Sequence, residues 1–425
     1  MLNTNELNLH KTNNFTIHQF LMKAFLFFLP FSQALTINIS FPLKLSEIFL
    51  ILIVLVELLN RKFNKNTLDK KILCLLILFI FFISISIVVN TFYTYNYPLA
   101  EDAVRISGLV DSLLKFFYVL MVIISLIITF NAFKETRNLI NYFLFGAFIA
   151  SLYSWYLFFS GFLSLPTFIL PGIDNPQYIN LKLGGDFIRS GTFTEGNFMG
   201  FYLFISAVLA KYFTKNKLSL FFFITIITTF STASFLCSII FWLIIFYNKY
   251  KKHKIKMIAG LFCIFTMFSV LTELSPTFKS LFYNKLFATE ESLENPNDIY
   301  SRVDRLNTSY SALIIFYHNP VLGVGLANFG RHFRHYNPLP ELDLGGKAIP
   351  NDIYVEILSE CGIFAFFIFL LFLNQIFKKS KISLVLSSGC FVSLLYFFAF
   401  PTFSMLFIWV FFGIILSTNQ LKISN

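Results

Sequence analysis

The sequence predicts an all-α polytopic membrane protein of about 12 transmembrane helices, with one large outside loop between spans nine and ten. Composition is the first observation: 56% of the 425 residues are hydrophobic, 60 are Phe, 13% are charged, and the mean hydropathy is +0.71. Soluble domains of ordinary usage lie far from these values. The second is length, because apolar runs of roughly 17 to 25 residues recur along the chain, enough for helices to cross a hydrocarbon core of ~30 Å with every backbone group bonded internally. The third is the position of the basic residues, which fall in alternate short loops and so mark one side of the membrane.

The expected spans are Gln19 to Ile37, Lys44 to Leu59, Ile72 to Val89, Ser112 to Phe130, Leu139 to Ser164, Asn197 to Phe213, Leu218 to Phe230, Ser234 to Asn248, Ile258 to Leu274, Ile353 to Phe377, Ser383 to Phe400 and Phe403 to Ser417. Residues 1–18 are polar, without the basic end or small-residue cleavage site of a secretory signal, and read as a retained cytoplasmic tail. Spans one to nine then occupy 19–274, with outside loops at 90–111 and 165–196; 275–352 is the large outside loop, and 353–425 holds the last three spans and a cytoplasmic tail. A cytoplasmic N-terminus puts Arg61, Lys62, Lys65, Lys70 and Lys71, Lys134 and Arg137, Lys215 and Lys217, the run Lys249 to Lys256, and Lys378, Lys379 and Lys381 on one face. The net charge of +11 is thereby read as membrane topology, and nucleic acid is not an expected partner. The five cysteines lie in or beside apolar runs and form no disulfide framework or CxxC metal site.

Leu218 to Asn248 lies between two cytoplasmic loops and must cross twice or not at all. Two helices of ~15 residues reach only ~22 Å each, which calls for thinned bilayer, tilted neighbours or a re-entrant hairpin. Thr228, Thr229, Ser231, Thr232 and Ser234 form the natural turn; the alternative is that these hydroxyls bond back to carbonyls within longer helices. In the large loop, Glu290, Glu291, Glu294, Asp298, Asp304, Glu341 and Asp343 mix with Arg302, Arg305, Arg331 and Arg334. Within it Val303, Leu306, Tyr310, Leu313 and Phe316 recur near helical spacing, which predicts an amphipathic helix on the membrane or against the spans.

Three segments carry chemistry. In Ile188 to Leu203 an outside loop returns to the membrane with Arg189, Glu195 and Asn197 at its lip. An arginine there either binds an anion with its planar fork, or pairs with Glu195, or snorkels to headgroups. In Asp304 to Gly330 an arginine-led helix stops at His-Asn-Pro and a Gly-x-Gly turn follows; its N–H groups either face an anion or simply make a turn. At the start of span ten, Asn351, Val355, Leu358 and Gly362 share a face, while Asp352, Glu356, Ser359 and Glu360 bring polar groups to the membrane. Glu356 and Glu360, four apart, repel, so either both face water or one pairs with an outside arginine.

In order and spacing, these segments resemble the O-antigen polymerase and O-antigen ligase superfamily of lipid-linked glycan transferases. The matching pieces are R-x-G-x-F-x-E-x-N at Arg189, Gly191, Phe193, Glu195 and Asn197; Arg305, fifteen residues before P-x-x-G-x-G at Pro320 to Gly325; and N-x-x-x-x-x-L-x-E-x-G at Asn351, Leu358, Glu360 and Gly362. Two positions depart from the pattern. Members commonly carry His where this chain has Pro350, which argues against a standard ligase and for a polymerase, and a Ser-Arg-Thr cluster reads Ser231, Thr232, Ala233.

The resemblance implies a glycosyltransferase of the bacterial inner membrane, with its active site facing the periplasm, that polymerises undecaprenyl-diphosphate-linked repeat units. The alternatives are a ligase moving glycan to lipid A core and, from another class, a lipid-linked oligosaccharide flippase. Arg189 and Arg305 are the expected diphosphate ligands. Asn197, Arg331, Arg334, Asn351, Glu356 and Glu360 are expected to contact substrate. The base is sought among His332, His335, Glu195 and Asp352, although the histidine pair reads equally as a solvated basic loop. No cofactor and no metal are expected. The lipid-linked donor and acceptor and the bilayer are the expected partners, and a chain-length regulator is a further partner the resemblance allows.

Overall fold

The computed structural model describes residues 17–39, 41–59, 68–93, 108–173, 175–181, 185–252, 296–339 and 348–420, with isolated positions between 262 and 283. Outside these residues lie most of the N-terminal tail, Arg61, Lys62 and Lys65, most of the 90–111 loop, more than half of the ninth expected span with Cys263, and Glu290, Glu291, Glu294, Glu341 and Asp343.

Helices occupy eleven of the twelve expected spans. They are α1 (Ile17–Phe31), α2 (Leu45–Leu59), α3 (Lys70–Tyr93), α4 (Gly108–Glu135), α5 (Ile140–Leu163), α6 (Gly196–Tyr212), α7 (Asn216–Thr225) and α8 (Thr232–Tyr250). After the large loop come α11 (Ile353–Ser380), α12 (Leu384–Tyr396) and α13 (Leu406–Gln420). Two loop helices, α9 (Pro296–His318) and α10 (Phe329–Tyr336), complete the set. Five helical segments, Lys70–Thr91, Gly108–Glu135, Arg137–Leu163, Thr232–Tyr250 and Ile353–Ser380, are long and apolar enough to cross a membrane, and Ile17–Phe31, Asn216–Thr229, Leu384–Ala399 and Leu406–Thr418 are shorter apolar helices. The chain is a helical membrane protein.

The expectation of an all-α chain needs one amendment. Two antiparallel hairpins stand in the loops, β1 (Thr36–Ile39) on β2 (Phe41–Lys44) and β3 (Tyr178–Leu181) on β4 (Gly185–Ile188). Short loops returning to a helix satisfy their backbone groups most economically by pairing with themselves.

The chain divides into two compact units. The first comprises 1–67, 125–238 and 409–425. Its centre is α6, in which every residue from Gly196 to Ala210 is buried, so an apolar helix is surrounded on all sides. Gly146 of α5 lets the α1 backbone approach, since a Cβ there would collide with the Phe27 carbonyl. The polar cluster after α7 makes a turn, as expected: residues 226–229 tighten, Phe230 takes a left-handed φ of 48°, and α8 starts at Thr232. Thr228 and Thr229 also donate back to the carbonyls of Thr225 and Ile226, so both readings of these hydroxyls hold.

The second unit comprises 68–124 and 239–408. Here α11 packs on α3, α9 and α12, and Phe79 of α3 stacks on Phe369 of α11 with ring centroids 5.5 Å apart. The amphipathic α9 is expected on the membrane or against the spans, and the structure bears on the second placement. Leu306, Tyr310 and Leu313 are 72%, 57% and 44% exposed, whereas Asn307, Thr308, Ser311, Ala312 and Ile315 are buried. The helix turns its hydroxyl and amide face to the protein and leaves its apolar stripe outside. The stripe is not what packs α9 on the described spans; on the opposite face Thr308 accepts from Asn351 in the lead-in to α11.

Candidate active site

The sequence-predicted residues fall into two sets, one in each unit. In the first unit, strand β4 delivers Arg189, whose N–H donates to the Gln177 carbonyl (3.0 Å) and whose Nε donates to Gln177 Oε1 (2.9 Å). The same Oε1 accepts from the N–H of Gly196 at 3.2 Å. Gln177 thus ties the arginine to the first turn of α6. Glu195, half-buried, is the residue from which that helix starts. Asn197 is buried and its Oδ1 accepts from Ser231 Oγ at 2.8 Å; Ser234 Oγ donates to Ser231 Oγ at 2.8 Å. The structure thereby joins the opening motif to the Ser231–Thr232 cluster, where the superfamily's arginine is missing. Gly196 and Gly200 are needed there, since a Cβ on either would strike the Thr229 carbonyl or the Ser234 hydroxyl.

In the second unit the turn motif and the closing motif lock together, backbone to backbone. At Gly362 (φ 77°, ψ −177°) the helical course of α11 breaks. That break frees carbonyls and an N–H which would otherwise bond within the helix. The Ser359 carbonyl accepts from Val324 N–H (2.9 Å), the Glu360 carbonyl from Gly325 N–H (2.9 Å), and Ile363 N–H donates to the Pro320 carbonyl (2.9 Å). Gly323 (φ 65°) faces the Ser359–Glu360 backbone and Gly362 faces Val321–Leu322, so a Cβ on either would drive the two segments apart. The N–H groups of Val324 and Gly325 are therefore engaged by α11 and not presented to an anion. Ser86 and Asn90 of α3 complete the joint: Ser86 Oγ donates to the Leu322 and Glu360 carbonyls (2.6 and 3.0 Å) and Asn90 Nδ2 to the Gly323 carbonyl (3.2 Å).

Glu356 and Glu360 are both buried, and neither faces water or pairs with an outside arginine. Their partner is Lys115 of α4, whose Nζ lies 2.8 Å from Glu356 Oε1 and 2.6 Å from Glu360 Oε2. Sequence reasoning missed Lys115. A lysine one turn inside an apolar span was the signal, because a charge at that depth demands a partner.

Around this joint the remaining candidates gather. Asn351 Nδ2 donates to Thr308 Oγ1 (3.1 Å), and Thr308 Oγ1 donates to the Arg305 carbonyl (3.1 Å), so the closing motif sits within a turn of Arg305. Arg305 is half-buried and makes no ion pair among the described residues. Asp352 Oδ1 accepts from Tyr354 N–H at 2.7 Å and caps α11; burial raises its carboxyl above the usual range despite that bond. On α10 the RHFRH pair is split. His335 and Arg334 are exposed, as a solvated loop would have them, but His332 is 3% exposed and Arg331 8%. The burial of α10 comes from Phe329 and Phe333, which pack on Ala312 and Ile315 of α9.

Arg331 Nη2 lies 3.6 Å from Asp111 Oδ2, beside Ser112, whose Oγ donates to the Leu326 carbonyl at 2.6 Å. Burial, with the charges of His335 and Arg331, pushes the His332 imidazole down to about 4, so it is neutral at pH 7. Arg331 Nε and Nη2, Asp111 Oδ2, Asn307 Oδ1, Ser311 Oγ and Asn328 Oδ1 are buried with no hydrogen-bond partner among the described residues. Buried polar atoms of this kind call for hydrogen-bond partners. Among the described residues no group of three or more His, Cys, Asp and Glu side chains is arranged to hold a metal ion.

A family model described as O-antigen ligase matches residues 218–370. No curated protein matches the chain. The matched stretch contains Arg305, the glycine turn and the closing motif, and it ends within α11; the Arg189 motif precedes it. The glycine turn and the closing motif, whose backbones interlock in the structure, both lie inside this stretch, and over residues 218–370, about a third of its length, the chain is similar to the O-antigen ligase family.

Proposed function

We propose that the chain is a glycosyltransferase that polymerises undecaprenyl-diphosphate-linked oligosaccharide repeat units at the periplasmic face of the bacterial inner membrane. The observation that carries this reading is the buried Arg331 and His332 of α10, with Arg331 facing Asp111 at 3.6 Å and α10 packed on the Arg305 helix. In the reaction an acceptor sugar hydroxyl attacks the anomeric carbon of the donor. The sugar–phosphate C–O bond breaks, its electron pair leaves with the lipid diphosphate, and the hydroxyl proton passes to a base. His332 is that base, because it is the imidazole that α10 holds inside the protein next to Arg331. A phosphate beside Arg331 offsets the guanidinium charge and brings the imidazole back toward its ordinary basicity.

Arg305 and Arg331 supply positive charge for the leaving group, a role that needs no metal. Arg189, held by Gln177, is a further phosphate ligand on its own motif. Exposed Arg334 and His335 meet the glycan, and Asn351 holds the Arg305 helix. Glu356 and Glu360 belong to the framework in this reading, since their carboxylates are engaged inward. Pro350 in place of the superfamily's histidine favours a polymerase, with His332 as the compensating imidazole. The ligase reading stays beside it because the matching family model is described by that activity.

Surface polysaccharide from a strain lacking the gene decides between them on a gel. A single repeat unit on core means a lost polymerase, and none means a lost ligase. Transfer by purified protein is expected to persist in EDTA; loss restored by magnesium or manganese rejects metal independence. Reporters fused after Lys252 or Lys379 are expected to read cytoplasmic, and one near Glu341 periplasmic; a periplasmic reading at Lys252 rejects this orientation.

A further inference from the structure

We propose that Lys115 is a positioning residue: by gripping Glu360 it holds the Pro320–Asn328 turn on α11 and so fixes α10, which presents Arg331 and His332. The inference rests on the proposed function for what α10 does, but the grip itself is a matter of geometry. Lys115 Nζ meets both carboxylates within 2.8 Å, and the two acids then part company. Glu356 Oε2 accepts from Phe403 N–H at 3.3 Å, on the lead-in to α13. Glu360 Oε2 accepts from Ala327 N–H at 2.9 Å, on the turn itself.

Ala327 is the place where such a grip matters. Its φ is 64°, a left-handed conformation that an alanine adopts only when its surroundings impose it. From Ala327 the chain passes through Asn328, whose carbonyl accepts from Arg331 N–H at 3.0 Å, straight into α10. Ser112 lies three residues before Lys115, on the same side of α4. Its hydroxyl takes the Leu326 carbonyl, and Asp111 takes Arg331. One helix face, Asp111, Ser112 and Lys115, therefore reaches Leu326 before Ala327, Arg331 after it and, through Glu360, Ala327 itself. A lysine buried only to neutralise two acids would need no such register.

The test is hydrogen–deuterium exchange by mass spectrometry on the full-length protein in detergent or nanodiscs, read beside transfer kinetics. Lys115→Met and Glu360→Ala are expected to speed exchange over residues 323–333 about tenfold or more, because the Ala327 N–H loses its acceptor or that acceptor loses its anchor. Lys115→Arg is expected to keep most of the protection. Glu356→Gln is expected to leave it, because Glu356 does not touch the turn. Glu360→Ala, which strands no second carboxylate without its cation, keeps the test decisive if Lys115→Met does not fold; unchanged exchange around Phe79 in α3 shows that a variant is folded.

In the variants that open the turn, kcat is expected to fall while KM for the lipid-linked donor stays within about threefold. Unchanged exchange in a folded Glu360→Ala protein overturns the inference, as does an opened turn with undiminished kcat. A wild-type protein with no transferase activity overturns the proposed function instead, and the exchange result still decides whether Lys115 and Glu360 hold the turn.

Discussion

Around Arg189 amide and hydroxyl side chains meet mostly side chain to side chain: Gln177 holds the arginine, and Ser231 and Ser234 form a chain of hydroxyls to Asn197. Around Glu360 the contacts are charged or backbone to backbone, with a buried lysine between two carboxylates and a turn joined to a broken helix by carbonyls and N–H groups. Both regions position cations near the ends of apolar helices. The first does so with single hydrogen bonds, each worth about 1 kcal/mol net, and adjusts to substitution. The second does so with groups that are costly to leave unpaired, and it tolerates little change.

Matched glycine substitutions are the strongest way to break that comparison. Gly362→Ala forces a Cβ against the Val321 backbone at a left-handed φ, where neither segment yields; a loss of about 4 kcal/mol or more is expected, seen as a collapse of Tm in detergent and abolished transfer. Gly191→Ala, also left-handed at φ 60°, meets only the flexible Met199 side chain and is expected to cost about 1–2 kcal/mol. Equal losses from the two would erase the distinction between the regions.

Next in size is the chemistry of α10. His332→Gln is expected to lower kcat by about 10²- to 10⁴-fold with the protein still folded, in line with loss of a general base; normal long-chain glycan from this variant would remove His332 from the mechanism. The depressed imidazole also predicts a pH signature. Because the folded-state value lies near 4, below the unfolded value, the unfolded chain binds more protons in between. The stability contributed by this group is therefore full above about pH 6.5 and lost as pH falls toward about 4. As pH falls from about 6.5 toward about 4, wild type is expected to lose Tm relative to His332→Gln; a wild type that gains on the variant contradicts the burial of the ring.

In the first region the effects fall on transfer and not on stability. Arg189→Ala is expected to abolish polymer with normal protein abundance, and Arg189→Lys to rescue it only partly, because an ammonium keeps charge without the fork. Gln177→Ala leaves the charge and removes only its support, so a loss of roughly three- to tenfold in transfer is expected. A Gln177→Ala loss as deep as that of Arg189→Ala would show that the neutral network is as unforgiving as the ionic one.

The difference between the regions also shows what could be read in advance. The opening motif was legible as a cluster of residue types, but its supporting partner, Gln177, lies twelve residues upstream across a hairpin that no hydrophobic period announces. The glycines of the turn and closing motifs could be marked as special, yet their purpose was not readable. They face each other across a gap in sequence, and a glycine required by another backbone looks the same as one required by a local turn. The apolar stripe of α9 was legible, but its direction was not, for a related reason: in a membrane protein the lipid, as well as the core, accepts apolar side chains, so periodicity locates a face without saying which way it points.

By itself the sequence determined the class of the protein, the positions of most helices, the polar turn before α8 and the three motif segments, because run length, composition and local turn chemistry act over short stretches of chain. Tertiary structure alone decided that Lys115 serves Glu356 and Glu360, that His332 is buried while His335 is not, and that the break at Gly362 receives the Pro320–Gly325 turn. Each of these depends on which distant group supplies the missing charge or hydrogen bond. Desolvation makes such partners obligatory, and only the folded chain selects them.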